Sequence, residues 1–125
     1  MSPSTLSTTL LYTASFMAST TVAGHTKMGY DLVFPALKKI PASEQPGAKA
    51  AKIGWMECNQ GFMFMALFCV KWANVGLTDT YDKAFLGIYS AAQLWAGIAY
   101  IRAGVYEPLL PLWGIVTVAG AGLLL

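Results

Sequence analysis

The stretch IGWMECNQGFMFMALFCVKWA, residues 53–73, is apolar along most of its length but carries a polar run at residues 57–60. A helix of this length matches the roughly 20 residues that cross a hydrocarbon core about 30 Å thick. Three further stretches have a similar length and character, at about 6–24, 84–101 and 109–125. The sequence therefore predicts an all-α fold, a four-helix transmembrane bundle that forms one domain over residues 1–125.

The composition supports a membrane environment. Hydrophobic residues make up 56% of the chain and charged residues 11%, whereas charged residues are about 25% of a typical soluble domain. A soluble domain of this size would leave too much apolar surface in water. A net charge of +2, with no basic patch that alternates with aromatic residues, excludes nucleic acid as the expected partner. We expect membrane lipids and a lipophilic small molecule as partners.

The basic residues predict the orientation. Five of the eight lie in the connection 25–52, which also contains three prolines and reads as a polar loop. Cytoplasmic loops are enriched in Lys and Arg, so we expect loop 25–52 and Arg102 to be cytoplasmic. Within this loop, residues 29–40 are expected to lie on the membrane surface or to form an ordinary basic linker.

Glu57 is the only acidic residue inside a predicted span. At 100° per residue it shares a stripe with Gln60 and Lys71, while Asn59 points toward a different neighbour. An ionised carboxylate in this position is costly and usually faces the bundle interior. We expect Glu57 to be buried and protonated and to serve as an acid, or else to hold helices together by hydrogen bonds.

Other polar residues are expected at the same depth. His25 and Asp31 lie near the end of the first apolar stretch. In the third apolar stretch, spacings of four and seven residues put Tyr89, Gln93 and Tyr100 on one face of the helix. Polar groups that converge in an apolar pocket are typical of a small-molecule site. The predicted catalytic residues are Glu57, Asp31 and His25, and the predicted substrate-binding residues are Asn59, Gln60, Trp55, Tyr89, Gln93, Trp95 and Tyr100.

The sequence gives no sign of a metal or an organic cofactor. One histidine and scattered carboxylates do not provide a metal-ligand spacing, and no motif of a serine nucleophile is present. Cys58 and Cys69 would lie roughly 16 Å apart along one helix, which is too far for a disulfide. Lys71 is expected to pair with Asp79 or Asp82. Residues 119–122, AGAG, predict a flat surface for close helix packing.

Two segments, GHTKMGYDLVFPALKK (24–39) and AAKIGW (50–55), carry a family resemblance. The chain resembles small four-helix membrane proteins of the DoxX-like kind, and fungal membrane proteins encoded with polyketide and terpenoid pathways. In the latter a His-Thr pair ends the first helix and a Gly-Trp pair opens the second. The resemblance covers about residues 20–75 and implies a membrane protein of poorly defined function, or a cyclase or epoxide-opening enzyme for lipophilic metabolites. It makes the endoplasmic reticulum the expected membrane, and His25, Asp31 and Glu57 match its polar positions.

Residues 50–76 are also similar to the second helix of the membrane-associated eicosanoid and glutathione metabolism family. In that family an arginine and an Asn-x-x-Glu type of cluster bind glutathione, and the active form is a trimer. Here Asn59 lacks the downstream acid and Arg102 is the only arginine. This second resemblance would imply a glutathione-dependent transferase or isomerase.

Taken together, these features predict an acid–base isomerase that cyclises a lipophilic molecule or opens its epoxide without a cofactor. Protonated Glu57 would activate the electrophile, and Asp31 or His25 would accept a proton from the attacking hydroxyl or water. The alternatives are the glutathione-dependent enzyme and a non-catalytic membrane subunit. The sequence does not identify the substrate or the oligomeric state, and a homo-oligomer is one of the possible states.

Overall fold

The computed structural model describes residues 3–125, and these residues form helices and short connections with no strand. The elements, in chain order, are α1 (Thr5–Met28), a π-helical turn (Gly29–Val33), α2 (Phe34–Leu37), a 3-10 turn (Ala42–Glu44), α3 (Gln45–Glu57), α4 (Asn59–Val75), α5 (Thr80–Arg102) and α6 (Leu109–Leu124). Only Cys58, itself helical in backbone conformation, separates α3 from α4. The long helical segments therefore number four, and the predicted all-α class is confirmed.

The predicted polar loop 25–52 is wrong, because most of it is helical. The first helix continues beyond residue 24 to Met28 and passes through the π-helical turn into α2. The second helical segment begins at Gln45, eight residues before the predicted start. Prolines account for the error. Pro35 and Pro46 each occupy the first turn of a helix, where a missing backbone N–H costs no hydrogen bond, so they begin helices here.

The core forms where α1 packs between α4 and α6. Two buried hydroxyl groups of α1 donate hydrogen bonds to backbone carbonyls of the neighbouring helices: Ser7 Oγ to Gly122 O at 2.6 Å, and Ser15 Oγ to Ala66 O at 3.0 Å. A side chain at Gly122 would meet Leu11 Cγ at 2.9 Å. The small residue of α6 therefore allows close contact, as predicted for residues 119–122.

The contact between α5 and α4 is confined to one end of the bundle. Lys71 Nζ on α4 lies 2.6 Å from Asp82 Oδ1 on α5, and the rings of Phe68 and Phe85 stack with centroids 4.0 Å apart. Along the rest of its length α5 packs on α6, where Trp113 covers Gly97 and donates to the Gln93 carbonyl at 3.2 Å. The two helices α4 and α5 therefore leave a wedge between them.

One helix of the described chain, Thr80–Arg102, is long and apolar enough to cross a membrane. The shorter α6 is also apolar. Large hydrophobic side chains are exposed on the outer faces of all four long helical segments, among them Phe16 (69%), Leu67 (65%), Ile88 (73%), Trp95 (73%) and Leu110 (77%). These side chains make much of the outer surface of the bundle apolar.

Candidate functional site

The wedge between α4 and α5 encloses a cavity of about 1020 Å³. Its walls come from the end of α1, the start of α4, most of α5 and the start of α6. Most of the lining is apolar, and the polar side chains that reach it include His25, Asp31, Cys58, Tyr89, Gln93 and Tyr100. A large apolar cavity with a few polar groups is the usual form of a small-molecule site.

His25 is held on three sides at the cavity wall. Its ring stacks on Trp55, with centroids 4.2 Å apart and an interplanar angle of 8°, and meets the edge of Phe62 at 5.6 Å. Its Nδ1 lies 3.0 Å from Asn59 Oδ1. The ring orientation is therefore fixed by two aromatic contacts and one hydrogen bond.

The hydrogen bonds of Asn59 determine which nitrogen of His25 carries the proton. Asn59 Nδ2 donates to Thr26 Oγ1 at 3.0 Å, so its Oδ1 is the atom that faces the imidazole and can only accept. His25 Nδ1 must then be the donor, and in the neutral ring Nε2 carries the free lone pair. No group among residues 3–125 hydrogen-bonds to Nε2.

Burial lowers the pKa of His25, and the hydrogen bond to Asn59 offsets part of this effect. His25 lies one residue beyond the apolar stretch 6–24, at the mouth of the bundle. A pKa below the ordinary value favours the neutral imidazole at pH 7. A neutral imidazole with Nδ1 bonded and Nε2 free can accept a proton, and His25 is one of the residues that line the cavity.

Gly29 makes room for the indole that supports His25. A side chain at this position would lie 2.6 Å from Trp55 Nε1 and 2.8 Å from Phe34 Cζ. Trp55 Nε1 donates to the His25 carbonyl at 3.0 Å. Trp55 was predicted to bind substrate, but it does not line the cavity; it stacks on the histidine ring.

The structure places the α5 residues that were predicted to bind substrate at the cavity, and their role in binding stays a prediction. Tyr89, Gln93 and Tyr100 all line the cavity, as does Trp95, which is 73% exposed. Tyr89 is buried, and neither its hydroxyl oxygen nor Gln93 Oε1 has a hydrogen-bond partner.

The prediction of a buried Glu57 is wrong. Glu57 and Gln60 are exposed and line a separate groove of about 590 Å³ with Lys49 and Lys52. The helix presents another stripe to the bundle: Trp55, Asn59, Phe62, Ala66 and Cys69, at spacings of four and three. Since Glu57 is removed from this stripe by about half a turn, it does not share a layer with His25.

Asp31 and Asn59 differ from their predicted roles. Asp31 lines the cavity, but its carboxylate pairs with Lys27 four residues earlier, and about half of its side chain is exposed. Asn59 does not line the cavity, and both ends of its amide are used within the protein. It therefore positions His25. Thr26, which accepts a hydrogen bond from the Asn59 amide, was not among the predicted site residues. Its position next to His25 was the only indication that the sequence offered.

Comparisons with protein-family models, curated proteins and solved structures find no match for this chain. The two resemblances therefore stay predictions. Arg102 is exposed and does not line the cavity, so the cavity offers no arginine for a glutathione carboxylate.

Proposed function

We propose that this protein is an integral membrane protein that binds a lipophilic small molecule in the α4–α5 cavity, where His25 Nε2 acts as a general base in an acid–base isomerisation. The observation that carries the proposal is the chain of hydrogen bonds from His25 through Asn59 to Thr26. This chain leaves one imidazole nitrogen free, on a residue that lines the cavity. Buried bases held in one tautomer are typical of acid–base sites.

The proposed membrane arrangement has four spans, over about 6–24, 53–73, 84–101 and 109–125. It is supported by the apolar outer faces of the helices and by the span-competent α5. The lysines of residues 25–52 and Arg102 would face the cytoplasm, in keeping with the enrichment of basic residues on that side. The endoplasmic reticulum is the proposed membrane.

The proposed reaction is a cyclisation or an epoxide opening in secondary metabolism. His25 Nε2 takes the proton of an attacking hydroxyl group as its oxygen bonds to an epoxide carbon, and the carbon–oxygen bond of the epoxide breaks. The imidazolium then returns the proton to the released oxygen, so an isomerisation by ring closure needs no net proton and no oxidant or reductant. One residue serves as base and then as acid.

A substitution pair tests this role. His25→Gln removes the base, and Glu57→Gln is the control because Glu57 lies outside the cavity. The full chain is placed in lipid nanodiscs with a panel of lipophilic hydroxy-epoxides, and ring-closed product is measured by mass spectrometry. We expect His25→Gln to lose about 10²–10⁴-fold in rate and Glu57→Gln to keep the wild-type rate.

Equal rates in His25→Gln and the wild type, with both proteins folded and monodisperse, would contradict a base at His25. Binding of the hydroxy-epoxides by the wild type without any product would favour the non-catalytic alternative. Thiol-dependent turnover lost in an Arg102→Gln variant would favour the glutathione alternative.

A further inference from the structure

The groove of about 590 Å³ on the outer face of α3 and the start of α4 lies apart from the cavity and carries two lysines. Six residues line this lysine groove: Lys49, Lys52, Ile53, Met56, Glu57 and Gln60. Their spacings of three and four residues place them on one face of the helical segment. Neither lysine forms an ion pair with any residue of 3–125, so the positive charge of the groove is free to meet a ligand.

The lysine groove changes from charged to apolar along the helix. Lys49 and Lys52 are exposed and precede the proposed span 53–73, whereas Ile53, which is 60% exposed, and Met56 lie in the first turn of that span. Glu57, the only acid in the lining, lies about 7.5 Å beyond Lys52 along the helix axis. The cationic end therefore lies at the proposed membrane surface, and the apolar residues lie at the depth where acyl chains begin.

The neighbouring helix α2 adds to the positive charge at this surface. Lys52 Nζ lies 4.9 Å from the centroid of the Phe34 ring of α2, a cation–π distance that holds the ammonium group beside this helix. Lys38 and Lys39 follow α2 at once and are exposed. Residues 32–56 contain four lysines and one acid, Glu44, for a net charge of +3. This side of the molecule therefore attracts anions.

We infer that the lysine groove binds an anionic phospholipid of the cytoplasmic leaflet, with the headgroup phosphate at Lys49 and Lys52 and an acyl chain along Ile53 and Met56. The cytoplasmic leaflet carries anionic lipids, and lysine clusters next to a membrane span bind them. An acidic protein segment would meet the lysines but would leave the apolar half of the groove uncovered. The inference rests on the proposed membrane arrangement and is independent of the reaction proposed for His25.

Two lipids with the same acyl chains separate the effect of charge from that of hydrophobicity. They are palmitoyl-oleoyl phosphatidylglycerol, which is anionic, and palmitoyl-oleoyl phosphatidylcholine, which has no net charge. Each is titrated into the full chain in a nonionic detergent, and native mass spectrometry counts the bound lipids and the protein copies. The wild type should bind phosphatidylglycerol about tenfold or more tightly than phosphatidylcholine, since each lysine near the headgroup contributes about fivefold.

A matched pair of variants locates the site. Lys52→Gln and Lys83→Gln each remove one exposed lysine, and Lys83 lies at the opposite end of the bundle. Lys52→Gln should weaken the binding of phosphatidylglycerol about fivefold, whereas Lys83→Gln should leave it unchanged. The double variant Lys49→Gln/Lys52→Gln should lose most of the preference for the anionic lipid. All three should unfold at the wild-type temperature, because the substituted side chains are exposed.

Equal affinity of the wild type for the two lipids would overturn the inference, as would equal losses in Lys52→Gln and Lys83→Gln. Glycerol phosphate, a headgroup without acyl chains, should not displace phosphatidylglycerol; displacement would contradict a lipid site and indicate one for soluble anions. Dimers or larger assemblies without bound lipid would overturn it too, since a second copy would then cover this face. The rate of His25→Gln is measured separately, so the proposed reaction can fail while the lipid site stands, and the reverse.

Discussion

Buried polar side chains at the two ends of the α4–α5 wedge differ in whether the protein itself supplies their hydrogen-bond partners. At the closed end, the Asp82 carboxylate is 1% exposed and accepts from Lys71 Nζ, Thr78 N and Thr78 Oγ1. At the open end, the Tyr89 hydroxyl and Gln93 Oε1 are buried with no partner. Because folding alone satisfies the first set, it is structural. The second set has no partner among the described residues, and neither has Trp72 Nε1 on α4.

The largest effect is expected at the closed end. Asp82→Ala removes an acceptor of three hydrogen bonds and leaves the donors of Thr78 without a partner, so the free energy of unfolding should fall by about 2–3 kcal/mol. Circular dichroism during thermal unfolding in detergent measures this change. Lys83→Gln on the same helix is exposed and should change stability by less than about 0.5 kcal/mol. Equal effects of the two variants would remove the contrast between the ends.

The pH dependence of the closed end follows from the same bonds. Burial disfavours the charged carboxylate, but the hydrogen bonds from Lys71 and Thr78 outweigh it and hold the pKa of Asp82 well below its usual range. Asp82 lies before the apolar stretch 84–101. A lowered carboxyl pKa adds stability above the ordinary carboxyl range and loses it as the pH falls through the folded-state pKa. Acid unfolding should therefore be shallower in Asp82→Ala than in the wild type.

A smaller loss of stability is expected for a substitution at Gly29, which contacts the indole that stacks on His25. Gly29→Ala places a methyl group against Trp55 and Phe34, and overpacking of this kind costs about 1–3 kcal/mol. The displaced indole should also release the stacked His25 ring. Unfolding measurements give the cost, and the ring-current shift of the His25 protons reports the stacking. Gly47→Ala is the control, because a side chain there meets no atom within 4 Å.

At the open end, removal of a polar group should change the free energy of unfolding in the opposite direction. Tyr89→Phe removes a buried hydroxyl that has no partner, so without ligand the free energy of unfolding should stay the same or rise by up to about 1 kcal/mol. Thermal unfolding in the same detergent tests this directly. A loss of 1 kcal/mol or more would mean that the hydroxyl is already satisfied in the unliganded protein, and the comparison between the ends would fail.

The smallest expected effect is a change in the tautomer and the pKa of His25. The chain contains a single histidine, so ¹⁵N NMR of labelled protein reports His25 alone. It should show the proton on Nδ1 and a titration below about 6.5. Since the Asn59 hydrogen bond raises this pKa, Asn59→Leu should lower it further and shift the tautomer toward Nε2–H. An unchanged tautomer in Asn59→Leu would contradict the positioning role. Neutral His25 also means that its contribution to stability is lost as the pH falls through the folded-state pKa.

Local spacing predicted a good part of this molecule. Hydropathy identified the four long helical segments, and the four- and seven-residue spacing placed Tyr89, Gln93 and Tyr100 on one cavity wall. The pairing of Lys71 with Asp79 or Asp82 was predicted from the place of these acids just beyond the end of the second stretch, and both contacts are present. These features depend on the period of a helix, which the sequence carries directly.

The rotation of the second segment could not be predicted in the same way. Its apolar residues surround the whole helix, so hydrophobicity does not distinguish the face that packs on α1 from the outer face. A charged residue in that segment suggested burial for Glu57, yet the packed face is the one with Asn59, Ala66 and Cys69. Small residues at helical spacing were the better signal, because they allow helices to approach.

The spread of α4 from α5 also determines how a molecule would reach the imidazole. Lining residues at this seam, such as Cys58, Ile88 and Trp95, are exposed on the outer surface of the bundle. Under the proposed function, a hydrophobic compound dissolved among the acyl chains would enter laterally at this seam. Its supply would then be governed by its concentration in the bilayer, and its solubility in the cytosol would have little bearing on the rate.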